Sequence, residues 1–168
     1  KAKQGKCKSN LKQMGTSYAQ YVQDEGRGTQ YPDANGGSFV ARLYSAETLS
    51  ESKIFLCPST PDWEDRPGLL ALGNSSIDDK GTGGGYTSYA GRKNKTQYQY
   101  PGLFRLHADT ALTGLVCDDF QGPANHENGM ILIVLFQDGH VDSYRDKSAK
   151  DATETAMFTT YGSTAGKN

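Results

Sequence analysis

Three cysteines, three histidines and a scatter of acidic and carboxamide side chains in the C-terminal half are the groups through which this sequence could do chemistry. Cys7, Cys57 and Cys117 stand far apart with no Cys-x-x-Cys pair, which argues against a zinc ribbon or a thioredoxin-type centre and allows at most one internal disulfide. Three buried, reduced thiols are the plain alternative. His126, His140 and Asp138 carry the donors of a transition-metal or acid–base site, yet Asp138 and His140 flank Gly139 as turn residues do, and nothing nearby marks a nucleophile. A hydrolase built on Asp118, Asp119 and His126 requires a concave site with coupled carboxylates. His107, beside Asp109, has no better claim. Gly83-Gly84-Gly85 is followed by no helical pattern whose N-terminus would hold a phosphate. Tyr98 and Tyr100 beside Pro101, among 10 tyrosines, offer a stacking surface of the kind a carbohydrate- or protein-binding module uses.

The elements that must position these groups follow from periodicity. Cys7, Leu11, Met14, Tyr18, Tyr21 and Val22 recur at helical spacing and predict an amphipathic helix over residues 1–25. Lys1, Lys3, Lys6, Lys8 and Lys12 fill its other positions, with no acidic residue before Asp24, so the start of the helix is basic; a solvated face accounts for that by itself. Gly26 and Gly28 stop it, and Tyr31-Pro32-Asp33 with Gly36-Gly37 reads as irregular chain. Ser38 is placed to cap a second helix over about residues 39–50, with Phe39, Val40, Leu43, Tyr44 and Leu49 inward, before Pro58 ends regular structure. Loops rich in Pro, Asp, Ser and Gly follow to Gly85. Strands are expected at Tyr86–Tyr89, Leu112–Cys117 and Met130–Phe136. Asp138-Gly139 then turns the last of these into His140-Val141-Asp142-Ser143-Tyr144 as an antiparallel hairpin. Ser148 with Asp151 resembles a capping box, and Ala152, Ala156 and Met157 suit a short final helix within 148–168.

The order is helix, helix–loop region (38–85), sheet region (86–145) and tail, which is the segregated pattern of an α+β fold. At 168 residues the chain suits one domain. A hydrophobic content of 35 % and 20 glycines imply a small core and many loops. The formal charge of -1 removes the overall attraction that sequence-independent nucleic-acid binding needs. The longest apolar run, Met130 to Phe136, is far short of the roughly 20 residues of a membrane-spanning helix.

Several segments resemble the pseudopilins of type II secretion and related prepilin-type proteins abundant in planctomycetes. Cys7-Lys8-Ser9-Asn10-Leu11-Lys12-Gln13-Met14-Gly15 is similar to the family's Cys-Lys-Asn-Asn-Leu-Lys-Gln-Ile-Gly. Phe55-Leu56-Cys57-Pro58-Ser59 resembles its Phe-x-Cys-Pro-Ser, and Ser88-Tyr89-Ala90-Gly91 its Ser-Tyr-Ala-Gly. His126, followed by Leu135-Phe136-Gln137-Asp138-Gly139-His140-Val141, resembles the family's His...Asp-Gly segment, with residues 127 to 137 forming a longer insert than is usual there.

The resemblance implies a pilin-like fold, a long N-terminal helix packed on a small antiparallel sheet, and a function by assembly rather than catalysis. The chain would be the periplasmic head of a filament subunit in protein secretion, held in the inner membrane by an apolar half-helix upstream of Lys1 after cleavage by a prepilin peptidase. Its partners would be other pseudopilin subunits, the inner-membrane secretion platform and secreted cargo. The oxidising envelope implied in this way makes a Cys7–Cys57 disulfide the expected pairing, with Cys57–Cys117 the next. Calcium is the cation that major pseudopilins hold in C-terminal loops. Asp118, Asp119, Asn125, Glu127, Asn128 and Asp138 would supply its oxygen ligands here, in a spacing that matches no EF-hand loop; acidic turn residues are also ordinarily solvated or capping. A secreted or surface-displayed carbohydrate- or protein-binding module is the alternative function.

Overall fold

The computed structural model describes residues 2–28, 30–34, 36–59, 70, 87–91, 114–118, 126 and 131–145. The first helix, α1, spans Ala2–Asp24, and the stripe expected of it is buried: Cys7, Leu11, Met14, Tyr18 and Val22 face inward together with Asn10 and Ser17. Lys3, Lys6 and Lys12 lie on the exposed face and Lys8 is half-buried. The helix ends where the Tyr21 carbonyl accepts from the amides of both Glu25 and Gly26, and the Val22 carbonyl from Gly28. Arg27 and Gly28 there adopt positive φ, a common way of using the last carbonyls of a helix. A Cβ on Gly26 would lie 1.9 Å from the Gln30 carbonyl oxygen, so no side chain fits at this stop.

The second helix, α2, spans Gly36–Ser45 and not residues 39–50. Ser38 therefore sits within its first turn, buried, and does not cap it from outside. The expected last turn is missing because Glu47 takes φ 58 and the Leu43 carbonyl accepts from the amides of both Thr48 and Leu49. Phe39, Val40, Ala41 and Leu43 are fully buried. A short 3-10 turn over Ser52–Phe55 follows, and the carboxylate of Glu51 accepts from the Lys53 amide.

Four strands, β1 (Tyr89–Gly91), β2 (Gly114–Asp118), β3 (Ile131–Phe136) and β4 (Val141–Arg145), form one antiparallel meander in that order. The first begins three residues later than the expected Tyr86–Tyr89. The Ser88 amide donates to the Phe55 carbonyl and the Tyr89 amide to the Thr87 hydroxyl, so the chain before Tyr89 spends its hydrogen bonds outside the ladder. The hairpin between β3 and β4 forms as its turn residues require, with Gly139 at φ 86 and its amide donating to the Phe136 carbonyl. The final helix expected in 148–168 lies outside the described residues.

α1 packs across β3 and β4, and α2 packs on β1. Both approaches are close. A Cβ on Gly91 would meet the Phe39 ring at 1.9 Å, and one on Gly15 the Leu135 side chain at 2.9 Å. Between the helices, Tyr18, Tyr31 and Phe39 form an aromatic group, and the Tyr18 hydroxyl donates to the Phe39 carbonyl. Burial pushes the Tyr31 phenol up to about 12 and holds that of Tyr18 well above its ordinary value. Ile131, Ile133 and Leu135 alternate inward toward this core, while Val134 and Cys117 are paired on the opposite face of the sheet, also buried. Among the described residues, no helix is long and apolar enough to cross a membrane. The fold is α+β, an N-terminal helix on a small antiparallel sheet.

Candidate functional site

Chemistry-bearing side chains converge where α1, the segment after the 3-10 turn and the entry to β3 meet. Cys7 reaches this junction because it begins the buried stripe of α1, and Cys57 because Ile54 and Phe55 anchor the turn before it in the core. Their sulfurs are bonded, with the Cα atoms 5.4 Å apart, so Cys57 pairs with Cys7 and not with Cys117, a buried thiol on β2. His126 is brought in by an isolated bridge to Ile131, whose amide donates to the His126 carbonyl. Its Nε2 lies 3.6 Å from Cys57 Sγ and its Nδ1 3.0 Å from Ser59 Oγ. Cys7, Cys57 and His126 are at most 2 % exposed.

A second layer of polar groups abuts the disulfide. Asn10, one helical turn after Cys7, donates from Nδ2 to the Leu56 carbonyl at 3.0 Å and to the Tyr89 hydroxyl at 3.1 Å. One side chain thus ties α1, the Cys57 segment and β1 together; its Oδ1 is buried and has no hydrogen-bond partner among the described residues. Sequence reasoning passed over Asn10 and Ser59. The available signal was positional: Asn10 falls three residues after Cys7 on the inward stripe, where a polar residue needs a buried partner, and Ser59 lies two residues after Cys57.

The other acidic and histidine candidates lie elsewhere. Asp138 and His140 occupy the exposed tip of the β3–β4 hairpin. The Asp138 carboxylate accepts from the His140 amide and pairs with its ring, which stacks on Phe136 at 4.3 Å. Slight desolvation raises the Asp138 carboxyl, but the hydrogen bonds and charge of His140 outweigh it and leave the group below the ordinary carboxylate value. His126 bridges to Ile131 at one end of β3, whereas His140 follows Phe136 at the other, a separation of roughly 16 Å at 3.3 Å per residue. The transition-metal or acid–base set of His126, His140 and Asp138 is therefore not assembled. Asp118 ends β2, where Cys117 lies opposite Val134 and Gly114 opposite Phe136, while Asp138 lies in the turn beyond Phe136. Asp119, Asn125, Glu127 and Asn128, together with His107, Asp109, Gly83 to Gly85, Tyr98 and Tyr100, lie outside the described residues.

A cleft of about 150 Å³ opens between the second half of α1 and the hairpin tip, lined by Gly15, Tyr18, Val22, Tyr31, Phe136 and Gly139 among others. Comparison of the chain with protein-family models, with curated proteins and with solved structures finds no match. The chemistry of the junction thus has to be read from its own atoms: a buried covalent tie between helix and loop, with an imidazole against one sulfur and a hydroxyl against the imidazole.

Proposed function

We propose that the chain is the head of a pseudopilin-type filament subunit, of a type II secretion or type IV pilus-like apparatus, and that it works by assembly and not by catalysis. The observation that carries the reading is α1. This helix of 23 residues buries one face along the sheet, keeps Lys3, Lys6 and Lys12 outward, and is cross-linked through Cys7 to the segment carrying Phe55-Leu56-Cys57-Pro58-Ser59. Both partners of that cross-link stand in the segments that resemble the pseudopilins. A head of this build suits a subunit pulled lengthwise by its helix, because the disulfide and Asn10 fix the helix to the loop and to β1.

In this reading the apolar half-helices of many subunits pack side by side in the inner membrane after prepilin peptidase cleavage. The heads coat the growing filament in the periplasm and meet secreted cargo. The test is the gene upstream of Lys1. A short basic leader, a Gly-Phe junction and about 20 apolar residues running into Lys1 are expected. An ordinary secretory signal without an apolar segment overturns the reading and favours a displayed binding module.

A further inference from the structure

The junction holds two disulfide-bonded cysteine sulfurs and an imidazole whose donor atoms all lie within 4.8 Å of one another. We propose that in the reduced protein Cys7, Cys57 and His126 form a three-ligand site for a thiolate-seeking divalent cation such as zinc, so that disulfide and metal are alternative occupants of one position. The donor set is of the Cys₂His type, which leaves one further position open. Tetrahedral zinc with bonds of about 2.3 Å to sulfur and about 2.0 Å to nitrogen places neighbouring donors roughly 3.5 Å apart. His126 Nε2 already lies 3.6 Å from Cys57 Sγ. Once the disulfide is broken, the two sulfurs have only to part to about 3.7 Å by rotating about their own side-chain bonds.

The hydroxyl of Ser59 makes both states satisfiable. A metal-ligating histidine holds its other ring nitrogen with a hydrogen-bonding partner, which fixes the tautomer. At 3.0 Å, Ser59 Oγ accepts from Nδ1–H and leaves the Nε2 lone pair toward the cation. Against the disulfide the same hydroxyl can donate to Nδ1, leaving Nε2–H toward the weakly accepting sulfur. Ser59 is therefore a positioning residue. The chemistry balances with a phosphine or thiol reductant. A trialkylphosphine takes the oxygen of one water to become its oxide while the two sulfurs gain the two protons. The cation then displaces those protons as both thiols bind as thiolates.

Cobalt(II) reports the site through its thiolate charge-transfer absorption. The intact chain, reduced anaerobically with a trialkylphosphine, is titrated with cobalt(II) and then with zinc, while its helical signal is followed by circular dichroism. One cobalt-thiolate site displaced by zinc is expected in the reduced protein and none in the oxidised one. His126→Ala and Cys7→Ser should weaken binding at least about 100-fold, and Cys117→Ala should leave it unchanged. Ser59→Ala should weaken it about 10-fold, with the same absorption band and an unchanged denaturation midpoint for the oxidised protein. Absence of the band, its persistence in His126→Ala, its loss in Cys117→Ala, or a reduced chain that loses its helix and does not regain it with cobalt each overturns the proposal.

Discussion

His126 and His140 precede and follow the same strand, and each has an acidic residue within two positions in sequence, yet their surroundings are opposite. His126 is buried against a disulfide sulfur and a serine hydroxyl contributed by residues almost seventy positions earlier in the chain. His140 is exposed and finds all its described partners, Phe136 and Asp138, within its own hairpin. The difference teaches that residue type and local spacing are poor guides to where the chemistry lies in this molecule. Contacts across the chain make the β3 entry a structural and chemical junction, while the hairpin tip is a self-contained turn. The same contrast extends to the carboxylates, since Asp138 is occupied in capping its turn.

If the junction is the mechanical knot of the fold, it should dominate stability, and the largest effect belongs to the disulfide. The bond spans a sequence separation of 50, and releasing a loop of that length costs about 4 kcal/mol by the chain-entropy relation. Replacing both Cys7 and Cys57 by Ala is expected to lower the urea denaturation free energy by roughly that amount. A loss below about 1 kcal/mol would put the knot elsewhere. Asn10→Ala comes next, because it strips a buried donor from the Leu56 carbonyl and the Tyr89 hydroxyl. The expected loss is about 2 kcal/mol, measured in the same way. Combining it with the double cysteine substitution should give less than the sum, since both act on the attachment of α1 to the Cys57 segment.

How far the sequence discloses this contrast depends on the range of each interaction. The inward stripe of α1 and the β3–β4 hairpin are readable, because a helical period and an Asp-Gly turn are local properties of Cys7 to Val22 and of Asp138-Gly139. The boundaries of α2 and β1 are not, because neither is announced by residue type or spacing. Glu47 ends α2 through its own left-handed backbone, and the Phe55 carbonyl takes the Ser88 amide that a strand beginning at Tyr86 would have used. Cys7 and Cys57 stand out through their segments. The partnership of His126 with Cys57 and Ser59 has no local trace, and Asn10 reads as an interruption of an apolar stripe until Leu56 and Tyr89 are brought beside it.

The hairpin tip supplies the small end of the comparison. His140→Ala removes one exposed stacking contact and one exposed ion pair, for an expected loss of about 0.5 kcal/mol. An effect rivalling Asn10→Ala would show that the tip is bound into the core after all.

Asp138→Asn tests the electrostatic part alone, and its sign is fixed by the direction of the shift. The folded protein holds this carboxyl below its unfolded value of 3.8 through hydrogen bonds from His140, so the folded state binds the proton less readily than the unfolded one. The stabilisation is present above the unfolded pKa and is lost as pH falls through the depressed folded pKa. The exposed setting screens it to a few tenths of a kcal/mol. Wild type should therefore exceed Asp138→Asn in stability by that margin at pH 6, and the gap should close in strong acid. A gap that persists undiminished below pH 2 would assign the contribution to turn geometry instead, because the Asn side chain keeps the shape and one acceptor oxygen but not the charge.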